Sequence, residues 1–193
     1  MRACWLVLLL FLLPACTAKQ NAEAQKFVGT DVSDAKFGAD FSLADADGNP
    51  RKLSDFRGKV VALFFGYTHC PDVCPTTLAD LARAKKLLGP RGKDFQVLFV
   101  TLDPERDSAE ILKKYIPSFD ADFIGLRGDA ETTRKTAQDF KVFYAKQEPG
   151  SNKAYTLDHS AGVYVFDRRG SLRLYLGFGQ SARDIAHDVS FLL

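Results

Sequence analysis

The amino-acid sequence predicts an α/β protein in which a central mixed sheet is flanked by helices. Two continuous apolar segments, residues 59–67 and 95–102, are rich in Val and Phe and have the length of buried strands. A helical pattern follows each of them, and a hairpin with alternating polarity lies near the C-terminus. This order is typical of a sheet that is covered by helices and ends in an antiparallel pair.

The composition indicates one ordinary globular domain. The chain has 193 residues, 46% of them hydrophobic and 26% charged, which is long enough to bury a sizeable core. The net charge of +2 is too small for the basic footprint of a nucleic-acid-binding protein, so no nucleic-acid partner is predicted.

The N-terminus has the pattern of an export signal. Arg2 precedes an apolar segment, residues 6–13, which is shorter than the ~20 residues of a transmembrane helix. This segment ends in "LPAC", which resembles the lipobox of bacterial lipoproteins, in which the cysteine is acylated. We therefore predict a signal peptide over residues 1–15, lipidation of Cys16 and a flexible tether over residues 16–36. An ordinary signal peptide or an uncleaved anchor are the alternatives.

The first elements of the domain come in a simple order. Residues 41–56 contain an Asp-Gly turn between two short extended segments, which predicts an N-terminal β-hairpin extension rather than a calcium loop. The buried strand at residues 59–67 leads into a helix over residues 76–89, for which Pro75 is a suitable first residue.

Capping residues mark the later helices. Three predicted starts are Asp107 with Glu110, Asp129, and Ser181 with Asp184. The first of these helices runs through Tyr115, and residues 162–178 form the hairpin. The whole order is that of a thioredoxin-like fold, which we place at residues 37–193.

Two cysteines stand between the first long strand and its helix, in "YTHCPDVCPTT". Cys4 would leave with the signal peptide and Cys16 would carry lipid, so Cys70 and Cys74 are the two thiols of the predicted domain. They could close a disulfide, exchange electrons with one, attack a substrate or hold a metal. The start of the helix favours a thiolate at Cys74, and the prolines after both cysteines predict a loop.

A histidine separates these alternatives. His187 is predicted on the surface, and His69 either lowers the pKa of Cys70 or points away from it. His159 lies in "LDHSAG", where thioredoxin-like folds normally have a cis-proline next to the active cysteines. Two thiolates and an imidazole form a soft set of three ligands, which favours Cu(I) or Zn and permits Cu(II). A structural zinc site would normally use four protein ligands.

Three segments resemble the signature segments of the Sco/SenC family: "YTHCPDVCPTT", "TLDPERDS" and "LDHSAGVYVFD". The resemblance extends from about residue 37 to the end of the chain. It implies a thioredoxin-like fold, membrane attachment and one copper ion, with Cys70, Cys74 and His159 as ligands. It also implies a role in maturing the dinuclear copper centre of cytochrome c oxidase, with the copper-centre subunit as partner.

Further expectations depend on this resemblance. An upstream copper donor and a thioredoxin-like reductant should serve the protein, which would be lipid-anchored in a bacterial cell envelope and face the periplasm or exterior. Asp158 is a candidate to orient His159, and Asp103 is a second candidate for such a supporting role. The alternatives are that Asp103 and Pro104 simply end a strand, or that Asp103 and Arg106 line the partner surface. The rival hypotheses are a thiol–disulfide reductase that uses a Cys70–Cys74 redox disulfide, and a peroxidase-like thiol enzyme.

Overall fold

The computed structural model describes residues 27–38, 40–147 and 155–193. Their main sheet has eight strands in the order β1-β10-β9-β4-β5-β6-β2-β3, and β7 and β8 form a separate two-stranded ribbon. The strands are β1 (Thr30–Asp31), β2 (Leu43–Asp45), β3 (Pro50–Arg51), β4 (Val60–Gly66), β5 (Phe95–Thr101), β6 (Ile124–Arg127), β7 (Tyr144–Gln147), β8 (Thr156–His159), β9 (Val163–Phe166) and β10 (Leu172–Leu176).

The sheet is mixed, as predicted. β4, β5 and β6 are parallel, whereas β9 is antiparallel to β4, and β10 is antiparallel to β9. Every residue of β4 and β5 is buried, which explains why both strands read as continuous apolar runs. The largest side chains of the core are aromatic and include Phe64, Phe65, Phe99, Phe140 and Phe166.

The described residues include four α-helices that flank this sheet: α1 (Val73–Leu87), α2 (Ala109–Tyr115), α3 (Ala130–Asp139) and α4 (Ala182–Ser190). α1 packs against α4, and α2 lies against β6. The predicted caps Asp129 and Ser181 are confirmed, because each side chain accepts a hydrogen bond from the backbone three residues further on. Within the described residues no helix combines the length and the apolar character that crossing a membrane requires.

The start of α1 differs from the prediction. The helix begins at Val73, with Asp72 as its N-cap, so Cys74 lies in the first turn rather than before it. Pro75 is then the third helical residue, where its missing N–H removes no intrahelical hydrogen bond. Cys74 adopts helical geometry despite the bias against it before a proline, and it is completely buried there.

Two features between β5 and α3 were missed or misassigned. The strand β6 was not predicted, because its four residues are too short to show a clear pattern. α2 is capped by Ser108, which accepts from the backbone of Ile111, and not by Asp107. Asp107 is instead fully buried and bonds to groups outside the helix.

The two predicted N-terminal features have different outcomes. The β2–β3 hairpin is present and extends the sheet beyond β6, as expected. The predicted tether, however, reaches too far along the chain, because β1 pairs with β10 and the N–H groups of Val28 and Gly29 donate to the buried carboxylate of Asp188. The predicted signal peptide and Cys16 lie outside the described residues.

Candidate metal centre

The cysteine segment crosses from the end of β4 into the first turn of α1. Cys74 is completely buried, whereas Cys70 is half-buried, and both are free thiols. The backbone N–H of Cys74 donates to the sulfur of Cys70 over 3.4 Å. A β-carbon on Gly66 would stand 2.8 Å from the Cys74 sulfur, so glycine at the end of β4 lets this thiol sit against the strand.

His159 is the last residue of β8 and belongs to the ribbon, not to the main sheet. Its Nε2 lies 3.6 Å from the Cys74 sulfur, although 85 residues separate the two in sequence. Its Nδ1 lies 3.0 Å from the Ser160 carbonyl oxygen and must donate to it, which leaves Nε2 with its lone pair toward the thiols. The rings of Tyr67 and Phe64 flank the imidazole.

The hydrogen bond between the two thiols shifts their pKa values in opposite directions. A hydrogen bond from Cys74 lowers the pKa of Cys70 to about 5, and backbone N–H groups of Cys74 and Asp72 contribute further. The hydrogen bond to Cys70, together with burial, raises the pKa of Cys74. The hydrogen bond between the sulfurs thus favours the thiolate at Cys70, the more exposed sulfur, whereas the helix start had favoured it at Cys74.

Of the two remaining histidines, neither approaches the sulfurs in this way. His187 is exposed on α4, as predicted. His69 is half-exposed, and its Nδ1 lies 3.6 Å from the carboxylate of Asp107 and 3.2 Å from the hydroxyl of Thr68. It therefore lies beside Asp107 and is not a member of the cluster of Cys70, Cys74 and His159.

Two predicted supporting residues have other partners. Asp158 accepts a hydrogen bond from Gln147, and the carbonyl of Ser160 orients His159 in its place. Asp103 is almost fully buried and accepts from Arg106 and from the hydroxyl of Tyr155. Neither carboxylate belongs to the cluster of Cys70, Cys74 and His159.

Sequence reasoning missed Asp107 as part of the site. Its carboxylate accepts from the N–H of Thr68 over 3.0 Å, from the Thr68 hydroxyl over 2.6 Å and from the Thr101 hydroxyl over 2.6 Å. Thr68 lies two residues before Cys70, so Asp107 fixes the entry to the cysteine segment. One weak signal was present in the sequence: Ser108, directly after Asp107, is itself a favourable N-cap, which leaves Asp107 available for another role.

An open groove of about 420 Å³ adjoins Cys70 and His159. Its walls come from the cysteine segment and from β8, and include Tyr67, Pro71, Val73, Leu157 and Ala161. The groove gives a second molecule access to Cys70, while Cys74 stays covered.

The three side chains can hold one metal ion. Cys70 Sγ, Cys74 Sγ and a ring nitrogen of His159 lie within 4.8 Å of one another. Three ligand atoms around an ion with bonds of about 2.0–2.3 Å stand roughly 3.5–4 Å apart, so only small side-chain movements are needed. Two sulfurs and one imidazole nitrogen suit a soft ion and leave a coordination position open.

Fold and site together define a thioredoxin-like protein whose cysteine pair is joined by a histidine where other members of the fold have a cis-proline. No cis peptide bond occurs in the described residues. The chain belongs to the SCO1/SenC family, whose profile matches residues 29–193.

Similar proteins agree with this assignment. Sco1 of Thermus thermophilus, solved in solution without metal, is 41% identical; the match covers 86% of this chain and 97% of that one, with a TM-score of 0.77. The copper-bound ScoI of Bradyrhizobium japonicum is 34% identical over 81% of this chain and 99% of that chain, with a TM-score of 0.74. The mitochondrial SCO2 homolog of mouse is 35% identical over 152 residues, 78% of this chain, and the match spans 60% of the mouse protein.

Proposed function

We propose that this protein is a membrane-anchored copper-binding assembly factor. It would hold one copper ion through Cys70, Cys74 and His159 and assist assembly of the dinuclear copper centre of cytochrome c oxidase. The observation that carries this proposal is the convergence of two thiols and an imidazole within 4.8 Å from distant parts of the chain. The copper bound to a 34% identical relative supports copper as the ion.

Copper suits the donor set in both oxidation states. Thiolates are soft donors that select Cu(I), and imidazole adds affinity for Cu(II). Cys70 is already a thiolate at neutral pH, whereas the proton of Cys74 must leave when the metal binds. Copper is the cargo, so the half-buried position of Cys70 beside an open groove matters for transfer to a partner.

The partner proposed for this transfer is the copper-centre subunit of the oxidase. An upstream donor would supply copper, and a thioredoxin-like reductant would keep the cysteine pair reduced. The groove beside Cys70 offers the space in which a ligand from the partner could displace one from this protein.

The alternative function is that of a thiol–disulfide reductase. One observation favours it, since an accessible thiolate at Cys70 and a buried thiol at Cys74 are the arrangement of an attacking and a resolving cysteine. His159 is the counterargument, because disulfide exchange does not need an imidazole 3.6 Å from the resolving sulfur.

A direct comparison tests the two functions. The reduced full chain is titrated with Cu(I) against a competing chelator, and its rate of disulfide reduction is measured in the same buffer. One equivalent of tightly bound copper with slow disulfide reduction supports the assembly factor. Fast reduction without copper binding would establish the reductase.

We further propose that Cys16 carries the membrane anchor, in a bacterial cell envelope with the domain facing the periplasm or exterior. The support is the short apolar segment that ends in "LPAC". Cys16→Ser should release the protein from the membrane fraction or block its processing. A variant that remains membrane-bound and normally processed would refute lipidation.

A further inference from the structure

The ribbon of β7 and β8 carries His159 without belonging to the main sheet. Its two strands pair with each other, from Tyr144 opposite His159 to Gln147 opposite Thr156. Within the described residues, the main sheet contributes no strand to this ribbon. Side-chain contacts from the rest of the domain therefore help to hold the imidazole beside the thiols.

Arg106 makes one of these contacts at Tyr155, the residue just before β8. Its Nη1 donates to the carbonyl oxygen of Tyr155 over 2.8 Å, and its guanidinium carbon lies 3.6 Å from the centre of the Tyr155 ring. Asp103 completes the network, because one carboxylate oxygen accepts from Arg106 and the other accepts from the Tyr155 hydroxyl over 2.8 Å. A planar guanidinium that stacks on a ring and also donates to the backbone of the same residue can hold that residue in one orientation.

The network is well shielded from water. The side chain of Asp103 is 1% exposed and that of Arg106 is 19% exposed. The outer nitrogen Nη2 of Arg106 is buried and has no hydrogen-bond partner in the described structure. The hydrogen bonds that the guanidinium does make go to Asp103 and to the carbonyl oxygen of Tyr155, and these bonds fix its orientation.

Arg106 and the next residue hold different halves of the metal site. Asp107 bonds to Thr68, which leads into the cysteine segment, while Arg106 bonds to Tyr155, which leads into His159. We call residues 103–107 the bridging loop. Two adjacent residues of the bridging loop, Arg106 and Asp107, therefore bond to the two segments that supply the metal ligands.

We propose that Arg106 is a positioning residue that holds the His159 ribbon against the cysteine segment, with the bridging loop setting the separation between them. Arg106 touches no ligand atom and acts through the backbone and ring of Tyr155. Its guanidinium also lies 5.8 Å from the ring of Tyr67, which flanks the imidazole. This proposal rests on the proposed copper-binding function and assigns a residue outside the site that controls its third ligand.

The role of Arg106 should differ between the oxidation states of copper. Two thiolates satisfy Cu(I), so loosening the ribbon leaves that ion bound. Cu(II) relies on the imidazole, and its affinity should fall when His159 is free to move away. By holding His159 in place, Arg106 allows the site to bind Cu(II) as well as Cu(I).

The test is a copper titration of the reduced full chain with each oxidation state. Arg106→Gln should lower Cu(II) affinity about 10-fold or more, the range typical of outer residues that orient a ligand. Its electron paramagnetic resonance spectrum should show weakened nitrogen coupling, while Cu(I) affinity stays unchanged. Arg106→Lys keeps the charge but not the planar fork, so it should not restore the spectrum.

Controls separate a local from a general effect. Arg134→Gln makes the same change at an exposed ion pair on α3 and should match wild type. His159→Ala sets the limit of complete imidazole loss. Tyr155→Phe keeps the stacked ring but removes the hydroxyl bond to Asp103, so it should show a smaller, Cu(II)-selective loss even if Arg106→Gln fails to fold.

The outcomes are distinguishable. If wild type binds both ions and neither Arg106→Gln nor Tyr155→Phe lowers Cu(II) affinity, the positioning role is refuted and the copper function stands. Equal losses of Cu(I) and Cu(II) in a folded Arg106→Gln would also refute it. If wild type binds neither ion, the proposed function itself fails, and the positioning role fails with it.

Discussion

Replacing Asp107 by alanine tests whether this carboxylate is a buried acceptor or a helix cap. Asp107 is fully buried and accepts three hydrogen bonds, two from Thr68 and one from Thr101. Each buried donor left without a partner costs about 1–3 kcal/mol, and water can reach part of the half-buried Thr68, so the total should be about 3–5 kcal/mol. Loss of a helix cap would cost only about 1 kcal/mol.

The assay is urea unfolding of the reduced, metal-free full chain, comparing the free energy of unfolding at an unchanged m-value. Ser108→Ala removes the observed cap of α2 and is the matched control, with an expected loss of about 1 kcal/mol. Asp107→Asn keeps the volume and one acceptor oxygen and should fall between these values. If Asp107→Ala and Ser108→Ala cost the same, about 1 kcal/mol each, the buried-acceptor assignment of Asp107 is wrong.

Three other predictions concern the metal centre. Replacing Cys70 or Cys74 by serine should abolish tight copper binding. His159→Ala should keep Cu(I) but lose most Cu(II), whereas His69→Ala should change little because His69 pairs with Asp107. Titrations in which the two histidine variants lose equal copper affinity would refute the choice of His159 as ligand. The oxidised protein should contain one Cys70–Cys74 disulfide and take up no Cu(I), and mass spectrometry that finds copper at full stoichiometry with the disulfide intact would contradict it. The rate of alkylation of Cys70 in the reduced protein should increase as pH rises through about 5, because the thiolate is the nucleophile and the pKa of Cys70 is lowered. If the midpoint of the rate against pH lies at the ordinary cysteine pKa of about 8.5, Cys74 does not stabilise the Cys70 thiolate.

Much of the framework follows from local patterns in the sequence. The apolar runs that became β4 and β5, the caps Asp129 and Ser181, and the β2–β3 hairpin each depend on a few neighbouring residues. Local backbone preferences and burial periodicity are sufficient to specify such elements. The cysteine pair was also readable, because its spacing and position before a helix are features of one short segment.

The errors in the sequence analysis fall where competing partners lie far away in the chain. Asp107 has the sequence pattern of a capping residue, yet its carboxylate accepts hydrogen bonds from Thr68 and Thr101, and Ser108 caps α2 instead. The hydrogen bond between the sulfurs lowers the pKa of Cys70, and the same bond together with burial raises the pKa of Cys74, whereas the helix start had favoured a thiolate at Cys74.

The sequence by itself determined the layered α/β framework, the two cysteines and a histidine at an unusual place in the fold. Only the tertiary structure decided that His159 reaches the thiols through a ribbon outside the main sheet, and that Arg106 and Asp107 hold the two halves of the site. Elements are specified by contacts within a few residues, whereas the distance between Cys74 and His159 depends on how the chain folds between two residues that are 85 positions apart. No local pattern contains that distance.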